Sequence, residues 1–379
     1  MNATVQNYNP WLHRFIMVTA IATFLLLGSG GMVTSHEAGM SVPDWPNTYG
    51  YNMFLFPVSK WMGGIFYEHT HRLLASGIGF LTTVLVVWLW FKDSRKWMRW
   101  LGVLAFVLVA LQGVLGGLRV TLHLDKLGIV HGALAQLFFV LVCALALFTS
   151  RWWQNQGRAG SPQPADGAMG TSRPTDKNLR TLVLATTVLI FLQLILGATM
   201  RHQHAGLAIP DFPLAYDKIW PDTSAAAVAH YNANRVEVIS ENPITAGQII
   251  LQMAHRIVAV LVLICVGAVT FCSRRCQSAE RAIAPPTHVG GYESKVAVRL
   301  SLFWLALIVV QIALGAWTIW SNKAADVATA HVLVGALALV TGALWCVVAF
   351  RRWRPLPRVE SAGTLPDAFG AHPAMAGNK

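Results

Sequence analysis

Glu68, His71 and Arg72 stand within five residues of one another in the stretch Phe66 to Gly77, FYEHTHRLLASG. Residues three apart on a helix share a face, so Glu68 and His71 would point the same way. A carboxylate so placed can take up a proton, and an imidazole can bind a metal. The pattern returns as Gln252-Met253-Ala254-His255-Arg256. Two further apolar runs carry one histidine each near the same side, His131 and His331. Four histidines at matched places on four apolar helices point to two metal or haem centres.

The elements that would position them are read from hydropathy. The chain has 379 residues, 55% hydrophobic and only 12% charged. Apolar runs of about 20 residues, the length that crosses a bilayer, cover about 15–34, 71–91, 98–118, 127–149, 179–200, 247–272, 296–320 and 326–350. The expected fold is therefore an all-α membrane protein with eight spans. With a cytoplasmic N-terminus, the inner segments hold 20 of the 29 Lys and Arg and 7 of the 17 Asp and Glu. This is the positive-inside bias, and it puts both termini in the cytoplasm. The net charge of +12 is thus explained by topology and anionic headgroups, including Arg351-Arg352-Trp353-Arg354. Nucleic acid is not an expected partner; membrane lipid is.

The halves repeat. Gly39 to Pro46 reads GMSVPDWP and Gly206 to Pro213 reads GLAIPDFP. Gln112 to Gly116, Gln193 to Gly197 and Gln311 to Gly315 share the form Gln-x-x-x-Gly. A repeat of four spans keeps its orientation, which makes it a parallel repeat about the membrane normal. The expected layout is two tandem four-helix bundles, 1–150 and 179–350, with a flexible linker at 151–178 and a cytoplasmic tail at 351–379. Gly28-Ser29-Gly30-Gly31 follows no strand and is read as close helix packing, not as a nucleotide loop. The five cysteines, Cys143, Cys265, Cys272, Cys276 and Cys346, fall in inner halves of spans or at the inner edge and are expected to be reduced.

Spans two, four, six and eight all run inward, so His71, His131, His255 and His331 share one depth near the outer leaflet. His71 with His131, and His255 with His331, can each supply both axial ligands of a haem iron. A lone buried histidine can simply bond a neighbouring helix, but four at repeat-related places favour ligation. Zinc fits less well, because a structural zinc site wants four ligands and often cysteine. Arg72 and Arg256 are read as partners of haem propionates or of headgroups. His69, His123, His202 and His204 are expected to be mostly solvated. Glu68 is matched in the second half by Gln252, which carries no charge, so acid–base chemistry is expected in the first half alone.

Together these residues resemble the haem A synthase family, membrane enzymes that convert haem O to haem A. The resemblance covers nearly the whole chain: eight spans, one histidine on each even span, Glu-x-x-His-Arg at Glu68–Arg72, and the Pro-Asp-Trp-Pro loop. It implies haem b held by His255 and His331, substrate haem O positioned by His71 and His131, and Glu68 as the essential carboxylate. The reaction implied is oxidation of the C8 methyl of haem O to a formyl group, a four-electron change needing an electron acceptor that the sequence leaves unidentified. Implied partners are a haem O synthase and oxidase assembly factors, in a bacterial inner (plasma) membrane with the haem sites toward the periplasm. Residues 35–70 hold no cysteine, as in the cysteine-free branch of proteobacteria and mitochondria. The rival readings are a dihaem b-type, quinol-oxidising electron-transfer subunit and a haem transporter or chaperone. A carrier has no need of a carboxylate in only one of two matched sites.

Overall fold

A computed structural model of the chain describes residues 8–156, 174–235, 243–283 and 290–352. The described residues are all-helical, with no strand. Ten α-helices follow in order: α1 (Pro10–Ser35), α2 (Gly63–Lys92), α3 (Lys96–Thr121), α4 (Leu127–Thr149), α5 (Arg151–Gln156), α6 (Pro174–His202), α7 (Ala225–Ala233), α8 (Ala246–Ile283), α9 (Gly290–Trp320) and α10 (Ala325–Arg352). Eight of them, all but α5 and α7, are long and apolar enough to cross a membrane. Asn9 caps α1 by accepting from the Trp11 and Leu12 amides, and Pro10 opens the helix where no amide is missed.

Several helices outrun their apolar stretches, α1 and α9 at their starts and α8 at its end. Helix α2 begins eight residues earlier than its apolar run, because Gly63 to Thr70 carries polar side chains that the fold buries against a loop. The segment expected as a flexible linker begins with the short helix α5, and its last residues already belong to α6. Residues 157–173 between them, and 353–379 of the tail, lie outside the described residues, as does the side chain of Cys276. The other four cysteines are free thiols.

Helix α1 packs on α2 and α4, α2 on α3, and α3 on α4. In the second half α6 packs on α8 and α10, α8 on α9, and α9 on α10. The halves meet where α1 and α4 touch α10 and α4 touches α6. Phe139, Ala336 and Val340 are buried in that seam, with Phe24 and Leu27 against them.

The densest packing lies away from the histidines. In the first half it uses Leu12, Ile16, Leu85, Leu89, Met98, Val142 and Leu145. These sit near the start of α1 and α3 and the end of α2 and α4, so they form one layer at one end. The second half repeats it with Val183, Val266, Val269, Trp304, Ile308 and Trp345. Trp304 is fully buried and its indole N–H donates to the Ala338 carbonyl at 2.8 Å. Threonine hydroxyls within the spans bond back to their own helix, as Thr82 does to Ile78 and Thr187 to Val183, both at 2.8 Å.

Close packing makes a stability prediction. A Cβ on Gly342 would lie 2.6 Å from both Thr187 Oγ1 and Trp304 Cζ2, whereas one on Gly267 would meet nothing within 4 Å. Gly342→Leu should cost about 1–3 kcal/mol by overpacking, read as a lower thermal midpoint in detergent. Gly267→Ala should leave the midpoint unchanged or raise it. Equal midpoints for the two variants would contradict this account of the α6–α9–α10 contact.

Candidate functional site

Two loops cover the histidine end of the helices, and each is tied down by the same device. In the first half Glu68, only 4% exposed, accepts the Val42 amide on Oε2 at 2.8 Å. Its other oxygen accepts from Arg72 at 2.7 Å, four residues along the same helix face. The Arg72 guanidinium then donates to the loop carbonyls of Val42 (2.8 Å), Asp44 (2.6 Å) and Asn47 (3.1 Å). In the second half Gln252 accepts the Ile209 amide at 2.7 Å and donates to the Ile209 and Gly206 carbonyls at 3.2 and 3.3 Å. Arg256 donates to the Asp211 and Leu214 carbonyls at 2.7 and 2.8 Å. The hydrogen bonds of both arginines therefore go to the loops, with Glu68 added in the first half.

The loops themselves match. Asp44 accepts the Tyr49 and Gly50 amides (2.7 and 2.8 Å), and Asp211 accepts those of Tyr216 and Asp217 (2.8 and 3.0 Å). Tyr49 and Gly50, like Tyr216 and Asp217, have positive φ inside a tight turn bridged by Thr48–Tyr51 or Ala215–Lys218. Trp45–Pro46 and Phe212–Pro213 are both cis. Trp45 lies against α3 at Gly117, where an added Cβ would fall 2.4 Å from the indole.

Behind the loops lie the four histidines. His255 and His331 face each other across the second half with ring centres 6.5 Å apart. Two His–metal bonds of about 2 Å each, plus about 1 Å from each nitrogen to its ring centre, span roughly 6 Å. The pair therefore fits a single iron held on both axial sides. His71 and His131 lie within electrostatic reach of one another in the first half. The Nδ1 atoms of His71, His131 and His255 are buried without a protein partner. Unpartnered imidazole nitrogens inside a membrane mark candidates for ligand binding. Among the described residues no group of three or more His, Cys, Asp or Glu could hold a metal ion, and the donors of each half are a pair of histidines.

Two of the histidines expected at the surface are drawn into the fold, His69 wholly and His202 in part. His69 is fully enclosed, with Nδ1 3.2 Å from the Thr48 hydroxyl and the ring against Trp61 and Phe56. His202, at the end of α6, bonds Asp125 at 3.2 Å, and Asp125 in turn pairs with Arg119 at 2.6 Å. That chain crosses from the second half to the first. Arg119 also lies within electrostatic reach of Glu68, His71 and His131. Beside it Arg201 of α6 donates to the Gly31 carbonyl at 2.5 Å and to the Ser35 hydroxyl of α1. These partners are remote in sequence and belong to no repeat, so no local pattern marks them. His123 and His204 are exposed as expected.

The aspartate of the first loop carries a pH dependence. Partial burial pushes the Asp44 carboxyl up, but the Gly50 and Tyr49 amides and the Arg72 charge outweigh it and hold the carboxyl below its ordinary value of 3.8. A lowered folded value adds stability above the unfolded value, and that stability fades as pH falls through the folded one. The part of the protease protection of residues 36–62 that Asp44 supplies should therefore persist from neutral pH down to about pH 4 and be lost below it. A loss below about pH 4 that is unchanged in Asp44→Asn would show that Asp44 does not hold the loop.

The comparisons with known proteins agree over most of the chain. Residues 13–343 match the family COX15-CtaA, cytochrome oxidase assembly protein. The chain is similar to the heme A synthase of Rhizorhabdus wittichii, 27% identical over 366 residues, which covers 88% of this chain and 92% of that one. It is also similar to the heme A synthases of Halalkalibacterium halodurans, 26% over 229 residues (58% and 70%), and Lysinibacillus sphaericus, 23% over 267 residues (70% and 75%).

Proposed function

The chain belongs to the COX15-CtaA family of cytochrome oxidase assembly proteins, and from that premise we propose that it is a haem A synthase. The reaction oxidises the C8 methyl of haem O to a formyl group and removes four electrons. One observation carries the assignment of roles within the chain. Two loop-and-helix sites tie down their loops by the same device, an amide accepted by the side chain and carbonyls gripped by the arginine four residues on, yet one holds Glu68 and the other Gln252. The first half is therefore the reacting half. His71 and His131 hold the substrate haem O there, and Glu68 takes up protons as the methyl carbon is oxidised or steadies positive charge developing on it. Its burial behind the loop and its fixed contacts with Val42 and Arg72 set where that charge lies.

His255 and His331 hold haem b in the second half, and haem b when bound supplies one-electron redox chemistry. The protein forms two tandem four-helix bundles, supported by the two closed sets of helix contacts. Both termini are cytoplasmic and the loop end is periplasmic in a bacterial inner membrane, supported by the charge bias. A dihaem carrier that moves electrons across the bilayer would set its centres at different depths. Here all four histidines lie near the loop-end starts of their helices, which favours the synthase. A haem O synthase and oxidase assembly factors are the natural partners of such an enzyme. Arg72 and Arg256 act through the loops they hold, which close over the two sites.

Glu68→Gln is a clean test because Gln252 already keeps an equivalent loop in place. The variant should retain its pigments and form no haem A when co-expressed with a haem O source, as read by chromatography and mass of extracted haem. A normal haem A yield would remove Glu68 from the chemistry. His255→Ala or His331→Ala should abolish the b-type difference spectrum. An unchanged spectrum in either variant would refute the cofactor site.

A further inference from the structure

Each of the four histidines faces a glycine on the preceding long helix. A Cβ would lie 3.0 Å from His71 Cε1 if built on Gly30, 3.2 Å from His331 Cε1 on Gly315, 3.3 Å from His255 Cε1 on Gly197, and 3.5 Å from His131 Cε1 on Gly116. The edge approached is the same every time, Cε1 with Nδ1 next to it. The missing side chain opens the helix backbone to that edge. His331 uses the opening, since its Nδ1 lies 3.1 Å from the Gln311 carbonyl, four residues before Gly315. The Gln311 amide approaches His331 Nε2 at 3.3 Å. The Nδ1 contact puts the proton on Nδ1 and leaves the lone pair on Nε2, where the Gln311 amide stands in the place an iron would take. A hydrogen bond of this kind orients a ligand histidine and raises its basicity.

The residue four before the glycine adds a second hold. The Gln112 side chain donates to the backbone carbonyl of His131 at 3.0 Å, and that of Gln193 to His255 at 2.8 Å. The Gln311 side chain differs, since it meets the His331 ring at Nε2 and has to swing aside for an iron there. Helix α1 alone departs from this arrangement, because Leu26 stands four residues before Gly30. Leucine has no donor, so nothing equivalent reaches His71.

We infer that Gln-x-x-x-Gly is a socket that fixes an axial histidine, and that its incomplete form on α1 makes His71 the ligand that lets go. This rests on the assignment of the first half to substrate and the second to a resident haem. A resident cofactor has to stay, and both of its histidines face a helix with the whole Gln-x-x-x-Gly pattern, Gln193 gripping the His255 carbonyl and the Gln311 carbonyl gripping the His331 ring. A substrate has to enter and its product has to leave, and one of its two histidines has the half socket. A single interhelical hydrogen bond in a membrane is enough to change retention by roughly three- to fifteenfold.

The test exchanges the two residues in the full-length protein, as Leu26→Gln and Gln193→Leu, each made in cells that supply haem O. Haem b is measured in the purified protein by its pyridine haemochrome, and haem O plus haem A by chromatography. Leu26→Gln should retain at least threefold more haem O plus haem A per chain, with haem b unchanged. Gln193→Leu should lose at least threefold of its haem b through the same purification. Gln193→Met, which keeps the length and drops the donor, replaces it if the leucine variant does not elute as the wild type does. Wild-type pigment ratios in both exchanges, while His255→Ala sheds its haem b, would overturn the socket. Full haem b in His255→Ala would instead refute the assignment of the halves, and the socket with it.

Discussion

A polar group sealed from water inside a membrane has to find its partner within the protein, and that demand organises both halves of this chain. The helices satisfy their own backbones. At the loop end, Glu68, Arg72, Gln252 and Arg256 find their partners in the loops. Glu68 and Gln252 show the economy of the arrangement. Either side chain can accept an amide from a loop and lie beside an arginine that grips the same loop. Structure is thus served equally by carboxylate and carboxamide, which frees the choice between them to be set by chemistry.

The histidines answer the same demand differently. Three of the four leave Nδ1 buried without a partner, while the carbonyls and amides of neighbouring helices lie close by. His331 shows the satisfied form. The spacing of His255 and His331 suits a ring system coordinated from both faces, and glycines on the facing helices keep backbone close to each imidazole. Arginines then knit the halves together. Arg201 reaches from α6 to α1, and Arg119 meets His202 through their shared partner Asp125.

Much of this was legible in the sequence because it repeats. Eight apolar runs mark eight spans, and the paired Pro-Asp-Trp-Pro and Pro-Asp-Phe-Pro loops adopt one conformation down to their turns. What could not be read depends on residues far apart in the chain. The start of α2 is hidden because Glu68 and His69 lower the hydropathy just where the loop buries them. His69 looks like a surface residue until Trp61, Phe56 and Thr48 fold over it. The Asp125–His202 bond joins two turns with nothing in common but their position in space. The glutamines of the Gln-x-x-x-Gly repeat are visible as a pattern, but only the fold shows that they reach histidines.

The placement of the packed layers has an implication for assembly. Leu85, Met98 and Leu145 in one half, and Val183, Trp304 and Trp345 in the other, are buried at the end away from the loops. Cohesion of the helices therefore does not wait on anything that binds between the imidazoles.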